Sequence, residues 1–378
     1  MKLAAIKGQA SWPLKSDRVK LWITQKGGHV GPVTFSLGGR AIQPYSVAPW
    51  ADERLPADAP EVLRILRGDF FCMPFGDSGQ PWKGEKHPPH GEVACGKWTL
   101  ARTENTGEYS EAELTLRTKI RRGRVRKIIR LRAGETVVYS RHVLEGTSGP
   151  MCFGHHPMLL FPKTSGILST SPFQFGQVLP CPLENPAQGG YSSLKQGAIF
   201  HSLQKVKLAD GGYTDLSRYP AREGFEDLAL LATSQKNSFA WTAVTFPGER
   251  FVWFALKDPK VLTATLLWMS NGGRHYPPWN GRHRNVMGIE DITGYFNQGL
   301  AASVRPNPLN RRGVKTTLML NSAKPLFINH ITGIAAIPSG FEQVQKVEKT
   351  SNGIILHAKS GRKTHARVEM SFLDQRKL

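Results

Sequence analysis

Residues 239–256 read FAWTAVTFPGERFVWFAL, and this stretch decides the fold class. Two runs rich in aromatic and β-branched residues, 239–246 and 251–256, flank the turn residues Pro247-Gly248-Glu249-Arg250. Apolar runs of this length on either side of a Pro-Gly turn predict a β-hairpin. The hairpin is the clearest of several strand signals along the chain.

Alternating apolar residues recur over 19–23, 114–120 and 137–144, and on both sides of a second turn at 359–362. Helical periodicity is confined to 60–66, which begins with Pro60, and to 295–304. The chain has 378 residues with 38 glycines and 26 prolines, a composition that suits strands joined by turns. We therefore predict an all-β protein, a single large antiparallel domain spanning residues 1–378 with few short helices.

The charge is unusual for a globular protein. Fifty Lys and Arg residues stand against 29 Asp and Glu, a net charge of +21 that first suggests a polyanionic partner. Nine of the sixteen residues 117–132 are basic, and none is aromatic. Without stacking residues, a solvated hairpin at a sheet edge is favoured over a nucleic-acid surface. We expect no specific nucleic-acid partner.

The termini and the cysteines bear on location. The apolar run at residues 3–6 is too short for a signal peptide, and no run approaches the ~20 apolar residues of a membrane helix. Four scattered cysteines, at 72, 95, 152 and 181, contain no C-x-x-C pair and are typical of a reducing compartment. We expect a cytoplasmic monomer or homodimer without a membrane partner.

Histidines and paired acids are the chemical candidates: the loop 87–92 (HPPHGE), His155-His156-Pro157, Glu226-Asp227 and Glu290-Asp291. Imidazole and carboxylate together fit a metal site, formed for example by His87, His90 and Glu92. Nucleophilic hydrolysis is a second possibility, although no G-x-S-x-G elbow is present. A third is acid/base catalysis, which needs one base, one acid and a polar pocket.

Four motifs, taken in order, resemble the aldose 1-epimerase (galactose mutarotase-like) superfamily over about residues 20–335. They are Gly38-Gly39-Arg40, the segment 90–98 (HGEVACGKW), His156-Pro157-Met158-Leu159, and Gly288-Ile289-Glu290-Asp291. The resemblance implies a β-supersandwich with a wide carbohydrate cleft. It also implies interconversion of the α and β anomers of an aldose, with no cofactor and no required metal.

By motif position, the resemblance implies that Glu290 is the base, His156 the acid and His90 a ligand of substrate oxygens. Asp227, with Asp215 as a rival, corresponds to the sugar-binding aspartate. Trp268 or Trp279 would stack on the sugar, on one wall of the cleft. Each of these residues also has a structural interpretation. The tryptophans could be core aromatics, Asp227 a turn residue, and Glu290 an ion-pair partner of Arg282 or Arg284.

The sequence departs from the family where an Arg-containing turn is usual, and residues 66–76 read LRGDFFCMPFG instead. Arg67 is the substrate-binding candidate in that segment, and Arg282 is another, close before Glu290. An anionic or phosphorylated sugar would use Arg67, Arg274, Arg282 or Arg284. The remaining alternative is a non-catalytic sugar-binding protein on the same fold.

Overall fold

The computed structural model describes residues 1–162 and 164–374, and strands dominate both ranges. The first ten strands are β1 Ala4–Ile6, β2 Gln9–Lys15, β3 Val19–Thr24, β4 Val30–Leu37, β5 Arg40–Ile42, β6 Phe71–Cys72, β7 Thr99–Asn105, β8 Tyr109–Thr118, β9 Gly123–Arg132 and β10 Val137–Glu145. The next ten are β11 Gly149–Met151, β12 Phe153–His155, β13 Met158–Leu160, β14 Gly166–Thr170, β15 Phe173–Val178, β16 Ile199–Phe200, β17 Val206–Lys207, β18 Tyr213–Thr214, β19 Arg218–Tyr219 and β20 Phe225–Thr233. The last are β21 Ala240–Phe246, β22 Phe251–Lys257, β23 Ala264–Asn271, β24 Val286–Thr293, β25 Leu318–Leu320, β26 Leu326–Ala336, β27 Val344–Thr350, β28 Gly353–Ala358 and β29 Lys363–Arg367.

Helices are short. The α-helices are α1 Glu61–Ile65, α2 Gly91–Cys95 and α3 Gly299–Val304, and 3-10 turns span Pro186–Gln188, Asn310–Arg312 and Met370–Asp374. Pro60 directly precedes α1, as the sequence predicts, while the second predicted helix is limited to α3. Within the described ranges, none of the helices has the length and apolar character needed to cross a membrane.

Two large antiparallel sheets form the body of the protein. One has nine strands in the order β19-β14-β21-β22-β26-β10-β9-β8-β7, and the other has the order β16-β15-β20-β23-β24-β12-β6 with β13 beside β24. Apolar side chains from both sheets, such as Leu230 of β20 and Ile328 of β26, belong to one buried cluster. The N-terminal sheet β1–β5 contributes to that same cluster through residues such as Leu21 and Phe35.

The nine-stranded sheet is covered on both faces. Its second face, with Tyr139, Phe254 and Ile331, packs against Leu356 and Phe372 of the C-terminal segment that holds the sheet β27-β28-β29. A strand buried on both faces does not need a polar side, so β21 and β22 are buried along their whole length. This explains why residues 239–256 are apolar almost throughout.

The predicted hairpin at 239–256 is confirmed. β21 and β22 pair antiparallel from Ala240 with Lys257 to Phe246 with Phe251, which leaves 247–250 as the turn. The strands predicted at 19–23 and 137–144 are β3 and β10. The strands predicted on both sides of the turn at 359–362 are β28 and β29. The second is expected over 366–372, and this prediction is wrong at its C-terminal end, because β29 stops at Arg367 and a 3-10 turn begins at Met370.

The basic segment 117–132 forms the hairpin β8–β9, in which Thr118 pairs with Gly123. The predicted edge position is wrong, since β7 lies outside β8 in the sheet. Five of its nine cations pair with carboxylates, in contacts of Arg121 with Glu85, Arg124 with Glu145, Arg126 with Glu113, Arg130 with Glu111 and Arg132 with Glu369. The high local charge is therefore largely compensated across neighbouring segments.

Candidate active site

A cavity of about 580 Å³ lies on the face of the eight-stranded sheet that points away from the nine-stranded sheet. Its floor comes from three adjacent strands, through Leu228 of β20, Trp268 of β23 and Glu290 of β24. Leu228 pairs with Trp268, and Trp268 pairs with Gly288, two residues before Glu290. Paired residues of antiparallel strands point to the same face, so the register of β20, β23 and β24 places all three side chains in the cavity.

The cavity walls are loops and one short helix. Leu63 of α1 lies on one side, and Tyr276 and Trp279 come from the loop between β23 and β24. Trp279 packs edge-on against Trp268, with ring centres 6.0 Å apart. Both tryptophans line the cavity, as the sequence predicts, and both are buried. They form an aromatic surface of the kind that packs against the apolar face of a small ligand.

His156 and Glu290 form the chemical centre of the cavity. The Nε2 atom of His156 lies 3.3 Å from Oε1 of Glu290, and both side chains line the cavity while being almost completely buried. The His156 ring stacks on Phe70 at 4.4 Å. Its backbone N–H donates to the Phe70 carbonyl and to Oδ1 of Asp69. Stacking on Phe70 and the two backbone hydrogen bonds together hold the imidazole in one orientation.

Burial shifts the pKa values of this pair in opposite directions. The pKa of Glu290 is raised well above that of an exposed glutamate, because burial disfavours the carboxylate. The pKa of His156 is lowered well below that of a free imidazole by burial and by the neighbouring His90. Burial thus disfavours both charged forms, the Glu290 carboxylate and the His156 imidazolium.

His90 lines the cavity next to this pair, with its ring centre 5.1 Å from that of His156. It adopts a left-handed conformation (φ 60°) directly before Gly91 (φ 77°), where a β-carbon would collide with the Met73 carbonyl. The Cys72 thiol lies 3.3 Å from Nδ1 of His90. Burial raises the pKa of Cys72, which favours the protonated thiol beside this imidazole.

The polar end of the cavity is built around Arg274. Its Nε atom donates to Glu184 at 2.7 Å, and its guanidinium group lies 4.4 Å from the ring centre of Trp279. The hydroxyl of Tyr276 donates to the other oxygen of Glu184 at 3.0 Å. Arg274, Tyr276 and Glu184 all line the cavity, so hydrogen-bonding groups surround the aromatic surface.

Glu226 lies beside Trp268 on the same face of the sheet, because it pairs with Ser270, two residues after Trp268. It accepts hydrogen bonds from Nε1 of Trp268 at 2.9 Å and from the Ser270 hydroxyl at 2.8 Å. Burial raises the pKa of Glu226 to about 7, against the opposing effect of Arg274. This carboxyl fixes the orientation of the indole that faces the cavity.

Three residues predicted to bind substrate lie elsewhere. Arg67 is fully buried and donates to the carbonyls of Ile65, Ile6 and Lys7, so it joins the N-terminal strand to the segment after α1. Arg282 forms an ion pair with Glu53 at 2.5 Å on the surface. Neither guanidinium lines the cavity, because each is held by partners outside it.

Asp227 also points away from the cavity. Its Oδ1 accepts the backbone N–H groups of Ser193 and Leu194, and Arg222 lies 3.4 Å from Oδ2. Its rival Asp215 caps a local turn by accepting from Ser217. Successive residues of a strand face opposite sides, so Glu226 rather than Asp227 is directed toward the cavity side.

Some cavity residues carry no clear sequence signal. Glu184 lies in an irregular segment, and Asp77 follows Gly76 in a loop that closes the cavity together with Asn297. Asn297 donates to Asp77 at 3.1 Å, and burial raises the pKa of Asp77. The one signal for the Asp77 loop in the sequence is an aspartate directly after Gly76, because the partner Asn297 is distant in sequence.

The metal set considered from the loop 87–92 is not assembled. His87 pairs with Glu85 at 3.0 Å, and Glu92 accepts the backbone N–H groups of Lys119 and Ile120. His90 contacts Cys72 instead. The three side chains thus have separate partners.

Comparisons with known proteins agree with this architecture. No family model and no curated protein matches the sequence. Solved structures do match: a galactose mutarotase-like protein from Clostridium acetobutylicum (TM-score 0.58, 11% identity, 89% of this chain and 98% of that one) and a galactose mutarotase related enzyme from Lactobacillus acidophilus (0.53, 10%, 89% and 100%). The aldose epimerase homologue from C. elegans is similar as well (0.56, 11%, 87% and 100%). At these identities the likeness concerns the fold, and this chain has the galactose mutarotase-like fold.

Proposed function

We propose that this protein interconverts the α and β anomers of an aldose by acid/base ring opening. The observation that supports this best is the His156–Glu290 pair, buried side by side at the floor of a cavity with aromatic and hydrogen-bonding walls. The reaction needs two proton-transfer groups that reach two oxygens on one carbon. His156 and Glu290, 3.3 Å apart, are spaced for that task.

In the proposed reaction Glu290 gains a proton when His156 loses one, so the number of protons on the two residues together stays constant. Glu290, as the carboxylate, removes the proton from the anomeric hydroxyl O1, while His156, as the imidazolium, donates a proton to the ring oxygen O5. The C1–O5 bond breaks, and C1 becomes the carbonyl carbon of the open aldehyde. Rotation about C1–C2 presents the opposite face to O5. Ring closure returns both protons in reverse, so no oxidant, reductant or covalent intermediate is needed.

Substrate binding would activate the pair. The proposed reaction needs a carboxylate at Glu290 and an imidazolium at His156, and burial disfavours both charges. Hydroxyl groups of a bound sugar supply hydrogen bonds to both charges. His90 also lines the cavity, and its ring would form a further hydrogen bond with a substrate oxygen.

The test is anomer exchange in the intact protein. Freshly dissolved α-anomers of a panel of aldoses are followed by polarimetry or by NMR exchange spectroscopy. We expect the exchange rate to rise in proportion to enzyme concentration for at least one sugar. A matched Glu223→Gln variant, which changes an exposed carboxylate paired with Arg284, should keep the full rate.

Two alternatives give different outcomes. Binding of a sugar without faster exchange would identify a carbohydrate-binding protein on the same fold. An anionic or phosphorylated substrate is disfavoured, because the cavity is lined by Asp58, Asp77, Glu184 and Glu290 against the single arginine Arg274. Faster exchange with sugar phosphates than with the parent sugars would contradict that assignment of a neutral substrate.

A further inference from the structure

A second cluster of histidines and carboxylates lies behind the acid/base pair, between the two large sheets. Asp69, His155 and His330 are buried, and one potential ligand atom from each lies within 4.8 Å of the others. Oδ2 of Asp69 is 3.0 Å from Nδ1 of His155, and the rings of His155 and His330 stack at 4.3 Å. We propose that Asp69, His155 and His330 bind one divalent transition-metal ion.

Unpartnered ring nitrogens mark this cluster as incomplete. Nδ1 of His330 and Nε2 of His155 are buried without a hydrogen-bond partner, and so are both ring nitrogens of His142. The His142 ring centre is 5.0 Å from that of His155. Buried polar atoms usually have a partner, and of these four nitrogens Nδ1 of His330 is the one that an ion next to Asp69 and Nδ1 of His155 would satisfy.

The tautomer of His330 is set for metal binding. Its Nε2 lies 2.9 Å from Oδ2 of Asp291, whose other oxygen accepts from Thr265 at 2.8 Å and pairs with Lys257 at 2.7 Å. An ionised carboxylate accepts only, so the proton of His330 is on Nε2 and Nδ1 carries a free lone pair. A carboxylate that orients the far nitrogen of a histidine is the usual support of a metal-bound imidazole.

The donor set selects the class of ion. Two imidazole nitrogens and one carboxylate oxygen suit Zn²⁺, Co²⁺, Fe²⁺ or Ni²⁺, whereas Mg²⁺ and Ca²⁺ prefer oxygen ligands throughout. Two ligands each about 2.1 Å from one ion lie roughly 3.0–3.4 Å apart at the usual bond angles. The 3.0 Å hydrogen bond between Oδ2 of Asp69 and Nδ1 of His155 has a spacing in that range, so an ion would take the place of the proton between these two atoms.

A bound ion would also help to position His156, the acid of the proposed reaction. Oδ1 of Asp69 accepts the backbone N–H of His156 at 3.0 Å, while Oδ2 of the same carboxylate faces His155. An ion held by Oδ2 would fix the segment that carries His156. This inference does not depend on the sugar chemistry, because it concerns only the buried residues behind the cavity.

The decisive measurement is the metal content of the intact wild-type chain. The protein is expressed in medium supplemented with Zn²⁺ or Co²⁺, since a buried site is filled as the chain folds. We expect about one ion per chain after gel filtration, and visible absorption from the cobalt form showing nitrogen and oxygen ligands. Folded wild-type protein without a retained ion from either supplement would overturn the proposal.

Variants locate the ion. His330→Gln and His155→Gln should lose it, while His87→Gln, which alters a buried histidine paired with Glu85 outside the cluster, should keep it. Equal retention by all three would place the ion elsewhere and refute this site. If a ligand variant fails to fold, X-ray absorption of the wild-type cobalt form still decides, because two imidazoles are expected and their absence refutes the assignment.

Charge provides an independent check. Lys127 is buried near the cluster, acts electrostatically on both Asp69 and His155, and donates to the Gly28 carbonyl. Its ammonium group opposes a bound cation. Lys127→Met should therefore slow removal of the ion by a chelator, and faster removal in a folded variant would contradict a cation at this position.

Discussion

The two sides of the eight-stranded sheet carry the same residue types in different surroundings. His156 and Glu290 face the open cavity, while their immediate neighbours His155 and Asp291 face the interior between the sheets. On the cavity side His156 and Glu290 lie 3.3 Å apart, and burial displaces the pKa values of both groups. On the interior side Asp291 has Lys257, Thr265 and His330 as partners.

The difference shows how the partners of a buried carboxyl group decide whether it keeps its negative charge. A carboxylate surrounded by donors keeps its charge, and Asp291 accordingly has its pKa lowered by Lys257 and His330 against the effect of burial. At Glu290 burial outweighs the contact with His156, and the pKa of its carboxyl group is raised. Adjacent substitutions on the two faces should therefore have different consequences.

The largest effect is expected on the cavity side. Glu290→Gln and His156→Asn should each lower the anomer-exchange rate by about 100- to 10,000-fold, the usual contribution of one proton-transfer group. The melting temperature should change little, because neither variant leaves a buried charge unpaired. NMR exchange and calorimetry on the same samples test both statements, and full activity in either variant would remove that residue from the mechanism.

The next largest effect is on the interior side. Asp291→Asn leaves the buried ammonium of Lys257 without its counter-charge, which should lower the free energy of unfolding by about 3–5 kcal/mol. Denaturant unfolding measures this loss. The double variant with Lys257→Met should recover part of it, since the unpaired charge is then absent. An unchanged unfolding midpoint in Asp291→Asn would show that the ion pair contributes nothing.

Acid should destabilise the protein. Burial lowers the pKa of His29 to about 3, of His90 to about 4 and of His283 to about 3, from an unfolded value near 6.5. Below pH 6.5 the unfolded chain binds protons that the folded chain excludes, so these groups reduce stability as the pH falls.

Glu226, with its pKa raised to about 7, acts in the opposite direction, and the opposed shifts of His156 and Glu290 offset each other. His29, His90, His283 and Glu226 together should lower the free energy of unfolding by about 3 kcal/mol per pH unit between pH 6 and 5. Melting temperatures across this interval test the sign. A constant melting temperature would mean that these imidazoles are protonated in the folded protein.

The smallest effect concerns the surface arginine. Arg282→Ala breaks an exposed pair with Glu53 and should change the free energy of unfolding by no more than about 0.5 kcal/mol. Because Arg282 does not line the cavity, the KM for sugar should stay within about twofold of wild type, whereas Arg274→Met should raise it. A large rise in KM with Arg282→Ala alone would return that residue to the site.

Much of the site could be predicted because local motifs mark it. The order of His90, His156 and Glu290 along the chain, with Trp268 and Trp279 before the last of them, indicates a cavity that the structure does assemble. Glycine and proline positions carry part of this signal, as at Gly91, where the backbone needs a positive φ. Side-chain type and spacing are visible in the sequence, so the three chemical residues and the two tryptophans could be predicted as parts of one site.

The errors share one cause. Charge and position near a motif indicate Arg67, Asp227 and Arg282 as substrate-binding residues, yet each has a partner distant in sequence. Arg67 binds the carbonyls of Ile6 and Lys7, Asp227 accepts from Ser193, and Arg282 pairs with Glu53. The cluster of Asp69, His155 and His330 was missed for the same reason, because its members are contributed by separate segments. Pairing between distant residues depends on how the sheets stack.

The amino-acid sequence by itself determined the strands, the turns and the residue types available for acid/base chemistry, because side-chain alternation and turn preferences are local properties. Only the tertiary structure decided which face each side chain meets. One residue along the chain separates His156 from His155 and Glu290 from Asp291, and it moves a group from an open cavity to a closed interior. The solvation and the partners of these groups depend on contacts between strands far apart in the chain, and those contacts set their protonation.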